Sequence, residues 1–310
     1  MRIGLTGGGT SVDSMVRQAQ QAEADGFASL WYASAVAGDP LVAMAFAGRS
    51  TTSIELGTAV LQTYPCHPLL QANRTVAAAN AMGRPGLTLG LGPSHRPIVE
   101  DVLGLSYDRP ARHTEEYVRI VTALLRDGNA DFDGADWTTH SAGRMAAAEH
   151  AVPVLLAALS PRMLRVAGSH ADGVILWLAS AAALERSIMP VLSAAADAAG
   201  RPAPRVVAGL PVAVHNDRAE AEAAVAATAT GYGAMPNFEQ IVATGGGSSA
   251  ADVAIIGDEA SVQRQLERLI TAGATDIWAQ PVAVGADREQ RRSSLRRTRA
   301  LLSALARQPD

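Results

Sequence analysis

Short apolar runs alternate with longer amphipathic stretches from one end of the chain to the other. Ile3–Thr6, Ala28–Tyr32, Ile54–Leu61, Gly86–Leu91, Val152–Ala158, Gly173–Trp177, Val206–Val214 and Asp276–Val282 read as strands. Val12–Ala24, Leu41–Ser50, Leu69–Met82, Arg112–Arg126, Pro161–His170, Ala181–Ala199 and Arg218–Ala229 return their apolar residues at helical spacing. A repeated strand-then-helix order means parallel pairing with crossover helices. Eight such strands in one chain of 310 residues suit a closed (β/α)8 TIM barrel, read as a single domain over residues 1–310. Two segments break the rhythm. Asn129–His150 and Gly233–Ala251 read as insertions, the second following strand 7, and its TGGGSSAAD composition leaves a lid and a plain loop both open.

Charge adds little to this picture. The formal net charge is -4, and the arginines clustered in Arg288–Leu305 lie on a helix with Leu295, Leu302 and Leu305 as its apolar stripe. They read as the solvated face of a last barrel helix, with no nucleic-acid partner expected. No apolar run reaches the ~18 residues of a membrane-spanning helix, and MRIGLTGGG lacks the apolar core of a signal peptide, so no membrane partner and a cytoplasmic location are expected. Cys66 is the single cysteine, and the seven histidines stand apart, so no metal site is expected. Every basic residue is Arg. Schiff-base aldolases, pyridoxal-phosphate enzymes and P-loop ATPases all need a lysine amine and drop out.

In a parallel barrel the chemistry sits where strands end and loops begin. LTLGLGPSH, Leu87–His95, fails as a dinucleotide fingerprint because Pro93 follows the glycine pair and His95 stands at the third glycine position. At a barrel strand end, Gly90 and Gly92 would let a flat ligand approach the backbone, with Ser94 and His95 as rim groups; a tight turn with a surface histidine explains the same letters. Ser160 is a good N-cap and Pro161 a good first helical residue, and with Arg162 beside it this helix start suits a phosphate, although an ordinary capped helix with no ligand explains these residues more simply. Tyr64 and His67 sit in a proline-stiffened loop after the third strand, and Ser34 follows the second with Asp39 as a cap before Pro40.

Taken in order, AEADGFASLW, LGTAVLQTYPCHPL, GRPGLTLGLGPSHRP, LGLSYDRPARHTEEY, PVLLAALSPRMLRVAGSHADGVILW and GDEASVQRQLERLITAGATD resemble the bacterial luciferase-like family, and within it the branch that uses the deazaflavin coenzyme F420. The resemblance implies a barrel, often a homodimer, with a flavin or deazaflavin in its mouth. It maps a non-prolyl cis peptide that backs the ring to Ala59–Val60, the coenzyme's phosphate to Leu159, Ser160 and Arg162, and further coenzyme contacts to Ser34, Thr58, Gly92, Pro93, Ser94 and Pro161. His95 takes the place of a proton donor, and Tyr64, His67 and Trp177 face a small-molecule substrate. Related dehydrogenases place an Asp-His pair after the second strand, where this chain has Ser34-Ala35. That departure favours a reductase delivering hydride to a C=N or activated C=C bond. An FMN-dependent monooxygenase and a non-catalytic ligand-binding barrel are the alternatives.

Overall fold

The computed structural model describes residues 1–34, 38–143, 145–229, 231 and 235–308. Ala35 and the start of the Gly233–Ala251 segment, Gly233 and Ala234, lie outside them. The strands are β1 (Ile3–Gly7), β2 (Ser29–Tyr32), β3 (Glu55–Thr58), β4 (Leu61–Gln62), β5 (Leu87–Gly92), β6 (Asp131–Asp133), β7 (Thr138–His140), β8 (Val154–Leu156), β9 (Gly173–Trp177), β10 (Arg205–Val214), β11 (Ile255–Gly257) and β12 (Asp276–Pro281). All eight expected strands are present. They pair in parallel in the order β10-β12-β1-β2-β3-β5-β8-β9, and β9 returns to β10, which closes the barrel.

The third staves are β3 and β4, interrupted by Ala59 and Val60. β3 pairs with the first half of β5, through Leu56 with Leu87 and Gly57 with Thr88, and β4 pairs with its far end, through Leu61 with Leu91 and Gln62 with Gly92. Gly90 stands opposite the interruption, and a Cβ there would lie 1.9 Å from the Thr58 carbonyl oxygen. The Thr58 hydroxyl donates to the Gly90 carbonyl and accepts its amide, both at 2.8 Å. The clearance at Gly90 is therefore filled by the neighbouring strand and not by a ligand, which corrects the reading of that glycine as ligand clearance.

Six of the helices begin where the chain supplies an Asp or Ser cap. Ser11, Asp39, Ser160, Asp217, Asp258 and Asp287 each accept an amide of the first turn behind a β-region backbone. The helices pack their apolar faces on the barrel around a continuous core that includes Ile3, Leu30, Leu56, Leu89, Leu156, Val206 and Ile277. The first insertion carries the antiparallel hairpin of β6 and β7. The second is more ordered than its composition implies: helices Pro236–Thr244 and Ala250–Val253 precede β11, which extends the sheet on Val212–Val214 of β10.

The entrance side of the strands is closed by charge. Glu55, Arg205 and Asp276 are the first residues of β3, β10 and β12, and all three point into the base of the barrel. Arg205 forks onto Glu55 at 2.7 and 2.9 Å and onto Asp276 at 2.6 and 3.0 Å, while Arg2 donates to the same two carboxylates at 2.8 and 2.9 Å. Thr88 and Thr275 complete the acceptor sites. Above this plug, Trp31, Leu155, Ile175 and Val207 form an apolar floor.

Candidate active site

The C-terminal strand ends surround a cavity of about 300 Å³ above that floor. Ala33 and Ser34 reach it from the end of β2, Ala59 and Val60 from the β3–β4 break, Gly92 to His95 from β5, and Ala157 to Ser160 from β8. Trp177 closes one side from β9, beside Trp278 of β12, with ring centroids 4.9 Å apart. The peptide bond between Ala59 and Val60 is cis, at the position the resemblance implies. Its two side chains stand against the cavity, and a Cβ on Gly92 would come within 2.7 Å of Val60 and 3.1 Å of Ala157. Small residues thus keep a narrow slot open between β4 and β8.

The rim after β5 is held in an unusual backbone. Ser94 has φ 64, a left-handed value uncommon for a residue with a side chain. Two contacts fix it: Tyr107 donates its hydroxyl to the Ser94 carbonyl at 2.9 Å, and Gln62 donates to the Ser94 hydroxyl at 3.1 Å. Arg96 donates to the Tyr107 carbonyl and pairs with Glu100, so the loop bearing Tyr107 is itself tied down. Half-buried His95 follows, its ring 5.7 Å from that of Phe238. Burial pulls the His95 pKa below the ordinary imidazole value, so the ring is neutral at pH 7.

At the other end of the slot, Ser160 caps the helix Pro161–His170, accepting the Met163 amide at a long 3.4 Å. First-turn amides have no acceptor inside the helix, and together with the helix dipole they favour an anion. The residues present therefore fit a flat ring carrying a phosphate: an apolar slot walled by small residues, with a helix start at one end.

The structure brings Ser34, Ala59, Val60, Gly92, Pro93, Ser94, His95, Leu159, Ser160 and Trp177 to one cavity. Other sequence candidates stand elsewhere. Thr58 is buried in its pairing with Gly90. Pro161 is the first helical residue, and Arg162 borders a neighbouring groove with Glu115, Arg165 and His170. Buried Tyr64 stacks on His113 at 3.8 Å and lines a separate groove with Arg109 and Asp136. The ring of His67 caps the helix Pro68–Met82 through the Leu69 amide at 3.2 Å, and its other nitrogen lies 3.2 Å from the Thr138 carbonyl. Neither of those last two side chains reaches the cavity, so they are set aside as substrate contacts. Sequence reading missed Gln62, Trp278, Asn237 and Phe238.

Fold and site together define a (β/α)8 barrel with an apolar slot at the C-terminal ends of its strands. Residues 2–303 match the family described as luciferase-like monooxygenase, and the chain belongs to that family. It is similar to a 5,10-methylenetetrahydromethanopterin reductase of Methanolobus tindarius, 28% identical over 159 residues, which are 51% of this chain and 48% of the relative. It is also similar to an F420-dependent glucose-6-phosphate dehydrogenase of Kineococcus radiotolerans, 28% identical over 204 residues, 59% of this chain and 58% of that protein. The chain thus spans about half the length of the curated reductase it matches. An F420-dependent secondary alcohol dehydrogenase, solved with an F420-acetone adduct, shares the fold with a TM-score of 0.75 over 97% of this chain and 98% of the other, at 17% identity.

Proposed function

We propose that this protein is an F420-dependent oxidoreductase acting as a reductase on a C=N or activated C=C bond of a small molecule. The observation that carries the reading is a single slot with the Ala59–Val60 wall on one flank, the Ser160 helix start at one end and His95 on the rim. The similarity to the reductase and the F420-dependent dehydrogenase supports the coenzyme. Ala59, Val60 and Gly92 would hold its ring, and Ser160 with the first-turn amides its phosphate. When bound in reduced form, F420 supplies a hydride to the carbon end of the acceptor bond and is left oxidised. His95 gives a proton to the other end of that bond and regains one from water.

Titrating the purified chain with F420 and with FMN, read by ring absorbance, tests the assignment. F420 is expected to bind, and Ser160→Glu is expected to weaken it by about tenfold or more, because a carboxylate would replace the hydroxyl beside the phosphate. Tight FMN binding with oxygen consumption would make the protein a monooxygenase, and binding of neither would make it a non-catalytic barrel.

A homodimer is part of the same proposal, with a second copy seated on the helices Pro40–Arg49 and Pro68–Met82. Val42, Phe46 and Leu70 stand more than half exposed on these neighbouring helices, at 51, 57 and 53%. Each helix carries one charged side chain, and both are engaged, Arg49 with the Ala81 carbonyl and Arg74 with Asp39. Such a neutral face is its own complement across a two-fold axis. Sedimentation is expected to show a dimer that Phe46→Glu converts to monomer; a monomeric parent chain would refute it.

A further inference from the structure

The described residues that line the central cavity include no carboxylate and no guanidinium. Its polar side chains among those residues are Ser34, Gln62, Ser94, His95, Ser160 and Asn237, with the indoles of Trp177 and Trp278. Other grooves of the molecule carry charge. One neighbouring groove is lined by Asp108, Arg109, Arg112 and Asp136, and another by Glu115, Arg162 and Arg165. Charged side chains end in these grooves and not among the described lining residues of the central cavity.

What the cavity has instead is rings. Trp177 and Trp278 stand together on one side, inclined by 42°, and Phe238 leans over His95 on the other, inclined by 50°. Phe238 arrives from the helix Pro236–Thr244 of the insertion that follows β10, and Asn237 beside it lines the same cavity. Asn237 brings the one side-chain amide among the described lining residues besides Gln62, whose NH2 is committed to Ser94. An amide both donates and accepts, which matches a carbonyl or imine substituent.

We infer that the substrate is an uncharged, unsaturated ring compound, and that Phe238 and Asn237 are its specificity-determining residues. Phe238 packs against the ring face, and Asn237 meets its polar substituent. A carboxylate or phosphate on a ring held between the Trp177–Trp278 pair and Phe238, away from the helix start at Ser160, would lose its hydration with no cation opposite it among the described lining residues, so an anionic analogue is rejected. The inference rests on the oxidoreductase reading only for what happens to the ring after it binds.

The test uses the full chain and two probes of similar shape, benzylideneacetone as the neutral enone and trans-cinnamate as its anionic counterpart, with glucose 6-phosphate as a second anion. Binding is followed by quenching of tryptophan fluorescence, with a parallel F420 titration. Benzylideneacetone is expected to bind at least about tenfold more tightly than either anion, and Phe238→Ala and Asn237→Ala are each expected to weaken it by about tenfold with F420 affinity unchanged. Phe238 is half-buried and Asn237 exposed, so both variants should fold; Phe238→Leu, which keeps apolar volume without the ring, should fall between parent and alanine. Anions binding as tightly as the enone, no enone binding, or no response to either alanine variant would overturn the inference. Enone binding without F420 binding would overturn the oxidoreductase reading and leave this one standing; the converse would do the opposite.

Discussion

Replacing His95 with alanine is expected to slow the reduction by about 10²–10⁴-fold while leaving coenzyme affinity within a few-fold of the parent. The ring stands on the rim and its loss opens space without touching the helix start at Ser160. The pH dependence gives the sharper signature. Burial holds the His95 pKa below 6.5, so the protonated ring needed to donate is scarce at neutral pH and grows as pH falls. The reductive rate should therefore rise as pH drops from 8 toward 5, and the reverse oxidation, which needs the neutral ring as base, should be favoured at the upper end. Steady-state rates in both directions check this, and His95→Ala should flatten both profiles. A parent profile that does not respond to the substitution would remove His95 from proton transfer.

The second large effect is on stability. Arg205→Met is expected to cost about 3 kcal/mol, because Asp276 and Glu55 would be left at the barrel base with only the more exposed Arg2 beside them. In a chain of this length that corresponds to a Tm lower by about 5 °C. The sign with pH follows from Asp276. Burial alone would raise its pKa, but the hydrogen bonds from Arg205, Thr275 and Arg2 hold it below the ordinary carboxylate value. Its contribution is present above the unfolded value of about 3.9 and is lost as pH falls through the lower folded value. Denaturation curves should show parent and variant far apart at pH 7 and converging in acid. Equal stability at pH 7 would mean that the plug does not hold the barrel.

The barrel was legible because its signal is repetitive. Eight apolar runs separated by amphipathic helices leave few topologies open, and caps such as Ser160-Pro161 announced themselves by residue type. The plug was not legible, since Glu55, Arg205 and Asp276 are far apart in sequence and meet only when the barrel closes. A charged residue at the head of three otherwise uncharged strands was the available clue.

The site was half legible. Ser94, His95 and Ser160 stand at strand ends and helix starts that local rules locate, whereas Trp278 lies inside a strand and looks like core. Asn237 and Phe238 were hidden because the glycine-rich stretch near them dominates the composition of the insertion, although Pro236 could have signalled a helix start. Tyr64 and His67 misled for the opposite reason. Polar rings in a loop look like ligand contacts until their partners, His113 and the Leu69 amide, are seen.

The arginine plug also decides traffic. A barrel closed at its base by the Arg205, Glu55 and Asp276 network leaves the C-terminal strand ends as the open side of the central cavity, where Asn237 and Phe238 line it. The coenzyme and substrate proposed above would therefore share one side of approach, across the C-terminal strand ends, and residues of the insertion after β10 would stand beside both.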